Sequence, residues 1–226
     1  MAGLAIVVGA ALAAVLERKG TAPRPVLNHT ALSFGGGALM SAVGLTLVPD
    51  ALDILSPWVA VWLFALGGVA FMLLDERLQN SGTPVSSVIA TLLDFVPEAI
   101  VLGAAVVTDP SVAVALAILI AAQNLPEGFA AYRQIAASAS KDLVARHPLA
   151  VLSACVVLGP LAALFGYYVC GMTSPLLGAI TSFCAGGIVF IVFRDIAPAA
   201  LYAKSSLPTL GAVAGFAVGL LGMGLT

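Results

Sequence analysis

The chain has 226 residues, of which 61% are hydrophobic and only 9% are charged, and its formal net charge is -2. An ordinary soluble domain carries about 25% charged residues. This composition therefore excludes a soluble domain and predicts a single transmembrane domain over residues 1–226, with the lipid bilayer as its partner and no nucleic-acid partner.

Eight apolar stretches follow one another along the chain, separated by charged residues and by Pro, Gly and Ser. Each is a predicted transmembrane helix, because a membrane span needs about 20 predominantly apolar residues. They cover roughly residues 2–16, 31–49, 58–74, 87–107, 111–132, 149–171, 177–193 and 208–225. The positive charges near the first stretch follow it, which is the reverse of a signal peptide, so we expect this helix to be retained.

The basic residues all fall in alternate loops between these stretches. They are Arg18, Lys19, Arg24, Arg77, Arg133, Lys141, Arg146, Arg194 and Lys204. Because basic loops stay in the cytoplasm, this pattern predicts that both termini lie outside. We interpret His29 and His147 as residues of the cytoplasmic loops, and we expect Arg194 to pair locally with Asp195.

Two segments resemble each other internally. The segment 33–52 reads SFGGGALMSAVGLTLVPDAL, and 182–201 reads SFCAGGIVFIVFRDIAPAAL. They align without a gap and lie on the second and seventh spans, which cross in opposite directions, so they predict an inverted repeat. The alternative is two glycine-rich helices that both need close packing, either within one chain or between two copies in a homodimer.

The fourth and fifth spans carry the strongest polar signal. The fourth contains DFVPEA, residues 94–99, and the fifth contains QNLPEG, residues 123–128. Residues four apart share a helix face, so Asp94 lies on the face of Glu98 and Gln123 on that of Glu127. In each motif a proline precedes the glutamate, and we expect it to kink the helix and free a backbone carbonyl.

Charged groups at this depth are unfavourable. Insertion scales give about 2.5–3.5 kcal/mol for an Asp at the centre of a span, so such groups face a bundle interior or an aqueous cavity. Carboxylates, amides and freed carbonyls together form an oxygen-rich site suited to a divalent cation. The alternative for any one of these residues is a packing polar group that is hydrogen-bonded to a neighbouring helix.

With these motifs, the chain resembles the ZIP (Zrt-, Irt-like protein) family of metal transporters, in a prokaryotic form. The resemblance rests on eight spans, on outside termini and on the paired proline motifs. It implies an all-α fold of eight transmembrane helices with an inverted repeat and with helices four and five kinked at Pro97 and Pro126. It also implies a bacterial or archaeal cytoplasmic membrane and passage of Zn, Fe, Mn or Cd ions into the cytoplasm.

Carried over residue by residue, the resemblance implies a metal site formed by Asp94, Glu98, Gln123, Asn124 and Glu127. The chain also departs from the family. Asp94 replaces a histidine, Phe95 replaces an asparagine, and Gly159 stands before Pro160 where many members have a glutamate. These departures predict one oxygen-lined site, with the second metal position weakened or lost, and a preference for Mn²⁺, Fe²⁺ or weakly held Zn²⁺.

Other functions stay open at this point. The same carboxylates suit a proton-coupled transporter or channel, and the departures suit a relative that does not transport. No His-Glu-x-x-His motif is present, and we expect neither an enzyme nor a prosthetic group.

Overall fold

The computed structural model describes residues 3–19, 25–81, 85–108, 110–138, 143–169, 174–201 and 205–224. Within these ranges, the side chains of 78–81, 85–87, 90, 93–94, 108, 111–112, 115, 195, 199 and 224 lie outside the description. Nearly all of the described backbone is helical, and none of it forms a strand. The prediction of an all-α chain is therefore confirmed for this part of the sequence.

A helix lies at each predicted span, and we number the helices α1 to α8 in chain order. Five of them have simple bounds: α1 Leu4–Arg18, α3 Pro57–Ser81, α4 Val85–Thr108, α5 Pro110–Ala136 and α8 Leu207–Gly224. Helix α2 runs through Pro25–Ala42, a π-helical turn Val43–Leu47 and Val48–Ile54, and α7 runs through Pro175–Ile191, a π-helical turn Val192–Ile196 and Ala197–Ala200. Helix α6 comprises Pro148–Val156 and Leu158–Val169 and follows a short helix, Leu143–Arg146.

Four helices in the described part of the chain are long and apolar enough to cross a membrane. They cover Pro25–Ile54, Pro57–Arg77, Pro148–Val169 and Pro175–Arg194, and shorter apolar stretches occupy Phe95–Val107 and Leu207–Met223. The chain therefore has the helices of a membrane protein, while a count of eight crossings stays a prediction.

These four helices differ in how deeply they are buried. The most apolar windows of α2 and α7 are 61% and 56% buried, against 17% for α3 and 22% for α6. Trp58 and Trp62 on α3 are 78% and 73% exposed. Because exposed aromatic residues on an apolar helix match a lipid environment, α2 and α7 form the interior and α3 and α6 lie at the periphery.

The helices pack mainly in four pairs: α2 with α8, α7 with α3, α1 with α5, and α6 with α4. Glycines allow the close approach in every pair, since an added Cβ would collide with the backbone of the partner helix. The reciprocal glycines are Gly37 and Gly215, Gly186 and Gly67, Gly9 and Gly128, and Gly103 and Gly166. Glycines of both repeated segments thus make contacts within one chain, which was one of the two alternatives that the sequence left open.

The two π-helical turns occupy matching positions of the internal repeat. In the gap-free alignment that pairs Ser33 with Ser182, the turn Val43–Leu47 coincides with the turn Val192–Ile196. Both turns lie shortly before a proline, Pro49 or Pro198, whose missing N–H leaves one carbonyl of the preceding turn without its helical donor. π turns of this kind are rare and are frequently found at functional sites.

The structure corrects one expectation for a polar residue and adds a contact for another. His29 lies within α2 and not in a loop, because helical structure begins at Pro25, where a proline suits the first position. The Nε of Arg194 lies 3.3 Å from Oδ2 of Asp75 near the end of α3, so Arg194 has a partner on another helix, and its pairing with Asp195 stays a prediction. The side chain of Asp195 lies outside the described residues.

Candidate metal centre

The two proline motifs meet in the structure. Helices α4 and α5 continue through Pro97 and Pro126, and the side-chain amide of Gln123 donates a hydrogen bond to Oε1 of Glu98. The last polar residue of the first motif therefore contacts the first residue of the second, as expected for adjacent helices whose polar faces turn toward each other.

The polar side chains of this region are buried. Gln123 and Asn124 are 0% exposed and Glu98 is 5% exposed, while Glu127 is partly buried. Within the described part of the chain, one oxygen of each residue is buried without accepting a hydrogen bond: Glu98 Oε2, Gln123 Oε1, Asn124 Oδ1 and Glu127 Oε1. Glu98, Asn124 and Glu127 also take part in other interactions. Because an unmade hydrogen bond at a buried polar atom is costly, the amide oxygen of Gln123 in particular suits a cation.

A glycine of α2 provides room beside Glu127. An added Cβ on Gly35 would lie 3.6 Å from Cγ of Pro126 and 3.9 Å from Cγ of Glu127. A longer side chain at position 35 would therefore press on the carboxylate. In the sequence, Gly35 is one of three consecutive glycines at 35–37 in a segment expected to pack closely, and this run was the available signal.

The structure describes some of the five predicted ligands more fully than others. Glu98 and Gln123 are in contact, and Asn124 and Glu127 follow on the same helix as Gln123. Asp94 lies on α4, but its side chain is outside the described part of the structure. Among the side chains that are described, no group of three His, Cys, Asp or Glu residues forms a metal-type cluster. The assignment of these five residues as ligands stays a prediction.

Two of the departures from the ZIP pattern, Phe95 and Gly159, lie against each other. Phe95 is 3% exposed, and a Cβ on Gly159 of α6 or on Gly3 before α1 would collide with its ring. The ring thus occupies the space into which a side chain at position 159 would extend. It belongs to an apolar cluster with Ile6, Ala10 and Leu152, so position 95 itself supplies no polar group.

The break in α6 lies next to this contact. Pro160 has no N–H to donate to the carbonyl of Val156, and the helix is interrupted at Val157, whose N–H bonds to Ala154 and Cys155. Gly159 lies two residues after this irregular turn, and its lack of a side chain leaves room for the Phe95 ring.

Comparisons with known proteins assign the chain to no family. No protein-family model matches the chain, and a search of curated proteins finds no relative.

Proposed function

We propose that the chain is a ZIP-like carrier that moves a divalent transition-metal ion across a membrane through the α4–α5 site. The observation that carries this proposal is the hydrogen bond from Gln123 to Glu98, which joins the two proline motifs at a buried position. Two glutamates and two amides on adjacent helices supply oxygen ligands of the kind that bind such ions.

The arrangement of helices supports the same proposal. An inverted repeat that exchanges α2 with α7 and α3 with α8 converts the pair α2–α8 into the pair α7–α3. If it also exchanges α1 with α6 and α4 with α5, it converts the pair α1–α5 into the pair α6–α4. All four pairs are present. The matched π turns and reciprocal glycines add independent support for an inverted repeat. Transporters built in this way bind their substrate near the midplane, between the two halves.

The ligand chemistry favours a weakly held ion. Glu98, Gln123, Asn124 and Glu127 offer only carboxylate and amide oxygens, and Asp94 would add another carboxylate. Oxygen ligands suit Mn²⁺ and similar ions better than they suit tight zinc binding. With Phe95 packed against Gly159, we expect one ion in each transport cycle.

The test is uptake of Mn²⁺, Fe²⁺, Zn²⁺ and Cd²⁺ into proteoliposomes that contain the purified protein. Glu98→Gln and Glu127→Gln remove one charge each while keeping side-chain size, and both are expected to abolish uptake. Glu76→Gln is the matched control, since Glu76 is an exposed acid at the end of α3 and its substitution should leave uptake unchanged. Folding of each variant is checked by size-exclusion chromatography and circular dichroism.

Two results would reject the proposal. One is a wild-type protein that moves none of the four ions. The other is full uptake by folded Glu98→Gln and Glu127→Gln variants. A proton flux that depends on these glutamates but needs no metal would instead support the proton-coupled alternative.

A further inference from the structure

An open cavity of about 490 Å³ lies along α2, between the last turns of α7 and the first half of α8. Its walls include Met40 of α2, Val192 and Ile196 of α7, and Ala212 and Phe216 of α8. At 1.5 Å per helical residue, the part of α8 that lines it, 209–216, is about 10 Å long. Among the described residues, none from α4 or α5 lines this cavity, so it is separate from the candidate metal centre.

The chemistry of the walls is apolar. Among the described residues that line the cavity, only Ser33 and Thr209 have an oxygen or nitrogen in their side chains. The hydroxyl of Ser33 already donates a hydrogen bond to the carbonyl of His29, at 2.6 Å. A buried water needs about two to four polar partners, whereas an apolar cavity stays dry and accepts apolar ligands. The cavity therefore suits a hydrocarbon group.

The internal repeat identifies the equivalent position in the other half of the bundle. An added Cβ on Gly37 meets the carbonyl of Ala212, and an added Cβ on Gly186 meets the carbonyl of Phe64. Because Gly37 and Gly186 are aligned in the repeat, Ala212 on α8 corresponds to Phe64 on α3. The same offset holds for a second set of contacts, Gly215 with Phe34 and Gly67 with Phe183.

The two equivalent positions differ in how they are filled. Phe64 packs against the buried cluster that includes residues of the first π turn, Val43–Leu47. Ala212 instead lines the open cavity together with residues of the second π turn, Val192–Ile196. One half of the bundle thus places an aromatic ring where the other half leaves a space. Because atoms beside a void lose their dispersion contacts, a group from outside the chain would stabilise the second half.

The cavity opens onto the apolar outer surface of the bundle. Leu201 and Val213 line it and are also exposed. The outer face of α8 continues with exposed Leu210, Leu220 and Leu221, and such a face on an apolar helix matches the hydrocarbon core of a bilayer. The material that meets the opening is therefore lipid acyl chain.

We infer that the α2–α7–α8 cavity binds an acyl chain of a membrane phospholipid, which packs against the second π turn as Phe64 packs beside the first. The elongated shape along α2 and α8 suits a chain that enters between α7 and α8. The inference requires only the cavity and its surroundings, and it holds whether or not the protein transports a metal ion.

Photo-cross-linking in liposomes tests this binding directly. The purified protein is reconstituted with a phosphatidylcholine that carries a diazirine on one acyl chain, and the cross-linked residues are located by mass spectrometry after illumination. Met40 and Val192 line the cavity, and Val192 is only 6% exposed. Trp62 of α3 is exposed and reports ordinary contact with bulk lipid. We expect cross-links at Met40 and Val192 as well as at Trp62.

A filling substitution gives the matched comparison. Ala212→Phe introduces the residue of the equivalent position on α3, and it should lower cross-linking at Met40 and Val192 about fivefold, because a close-packed interior leaves no room for a second group. Cross-linking at Trp62 should stay unchanged. Leu220→Phe, on the exposed face of α8, is the control and should change neither signal.

Two results would overturn the inference. One is a wild-type protein that is cross-linked at Trp62 but at neither Met40 nor Val192. The other is wild-type cross-linking at Met40 and Val192 in folded Ala212→Phe, with folding checked by size-exclusion chromatography. If Ala212→Phe does not fold, Ala200→Leu narrows the same cavity from α7, and the same decrease is expected.

Discussion

Gly35 and Gly37 on α2 are two residues apart and both buried, yet the structure predicts opposite effects of the same substitution. An added Cβ on Gly35 meets Pro126 and Glu127 at 3.6 and 3.9 Å, which is ordinary contact. An added Cβ on Gly37 collides with the carbonyl of Ala212 on α8. We therefore expect Gly35→Ala to be tolerated and Gly37→Ala to force α2 and α8 apart.

The expected difference in melting temperature can be estimated because the two variants carry the same Gly→Ala substitution on the same helix. Both substitutions gain the same helix propensity, about 1 kcal/mol for Gly to Ala, so this term cancels between the two variants. What remains is the overpacking at position 37, about 1–3 kcal/mol. At about 2–4 °C for each kcal/mol in a chain of this size, Gly37→Ala should melt roughly 2–12 °C below Gly35→Ala.

The assay is thermal unfolding of both purified variants in the same detergent, followed by intrinsic fluorescence and by size-exclusion chromatography after heating. Equal melting temperatures would refute the close contact between α2 and α8. A lower melting temperature for Gly35→Ala would refute the space beside Glu127. Neither result depends on whether the protein transports a metal ion.

Two further substitutions test the surroundings of the site. Phe95→Ala removes a buried ring from the contact with Gly3 and Gly159 and should lower the free energy of unfolding by about 3–5 kcal/mol; a melting temperature like that of the wild type would show that the ring is not packed there. Gln123→Leu removes the amide that donates to Glu98, a bond worth about 1.5–3 kcal/mol if the acceptor is charged. It should lower both the melting temperature and the apparent metal affinity in the uptake assay, and unchanged values for Gln123→Leu would contradict the role of that bond.

Much of the helical organisation was predictable from local patterns. Runs of apolar residues fixed where helices form, because a backbone in lipid must satisfy its own hydrogen bonds. The predicted ends of the helices were less accurate. Helix α2 begins at Pro25 and continues to Ile54, beyond the predicted range 31–49. Other helices partly surround α2, and protein contacts can extend a helix past its apolar stretch.

The pairing of the two proline motifs was also predictable, because polar residues four apart on adjacent helices define one face on each. The sequence could not predict that Gln123 and Glu98 are the residues in contact. That depends on the axial register of α4 against α5, which is set by the packing of the whole bundle. The same applies to the Arg194–Asp75 pair, whose partners lie on different helices and are far apart in sequence.

The sequence by itself determined that this protein is helical and apolar, with carboxylates and amides grouped on two helices, because these properties depend on composition and on short periodic patterns. Only the tertiary structure decided that the Phe95 ring lies over Gly159 and that Gly35 makes room beside Glu127. These features arise where helices distant in sequence come within a side chain's length of one another. That distance depends on the packing of all the helices together, and no local pattern records it.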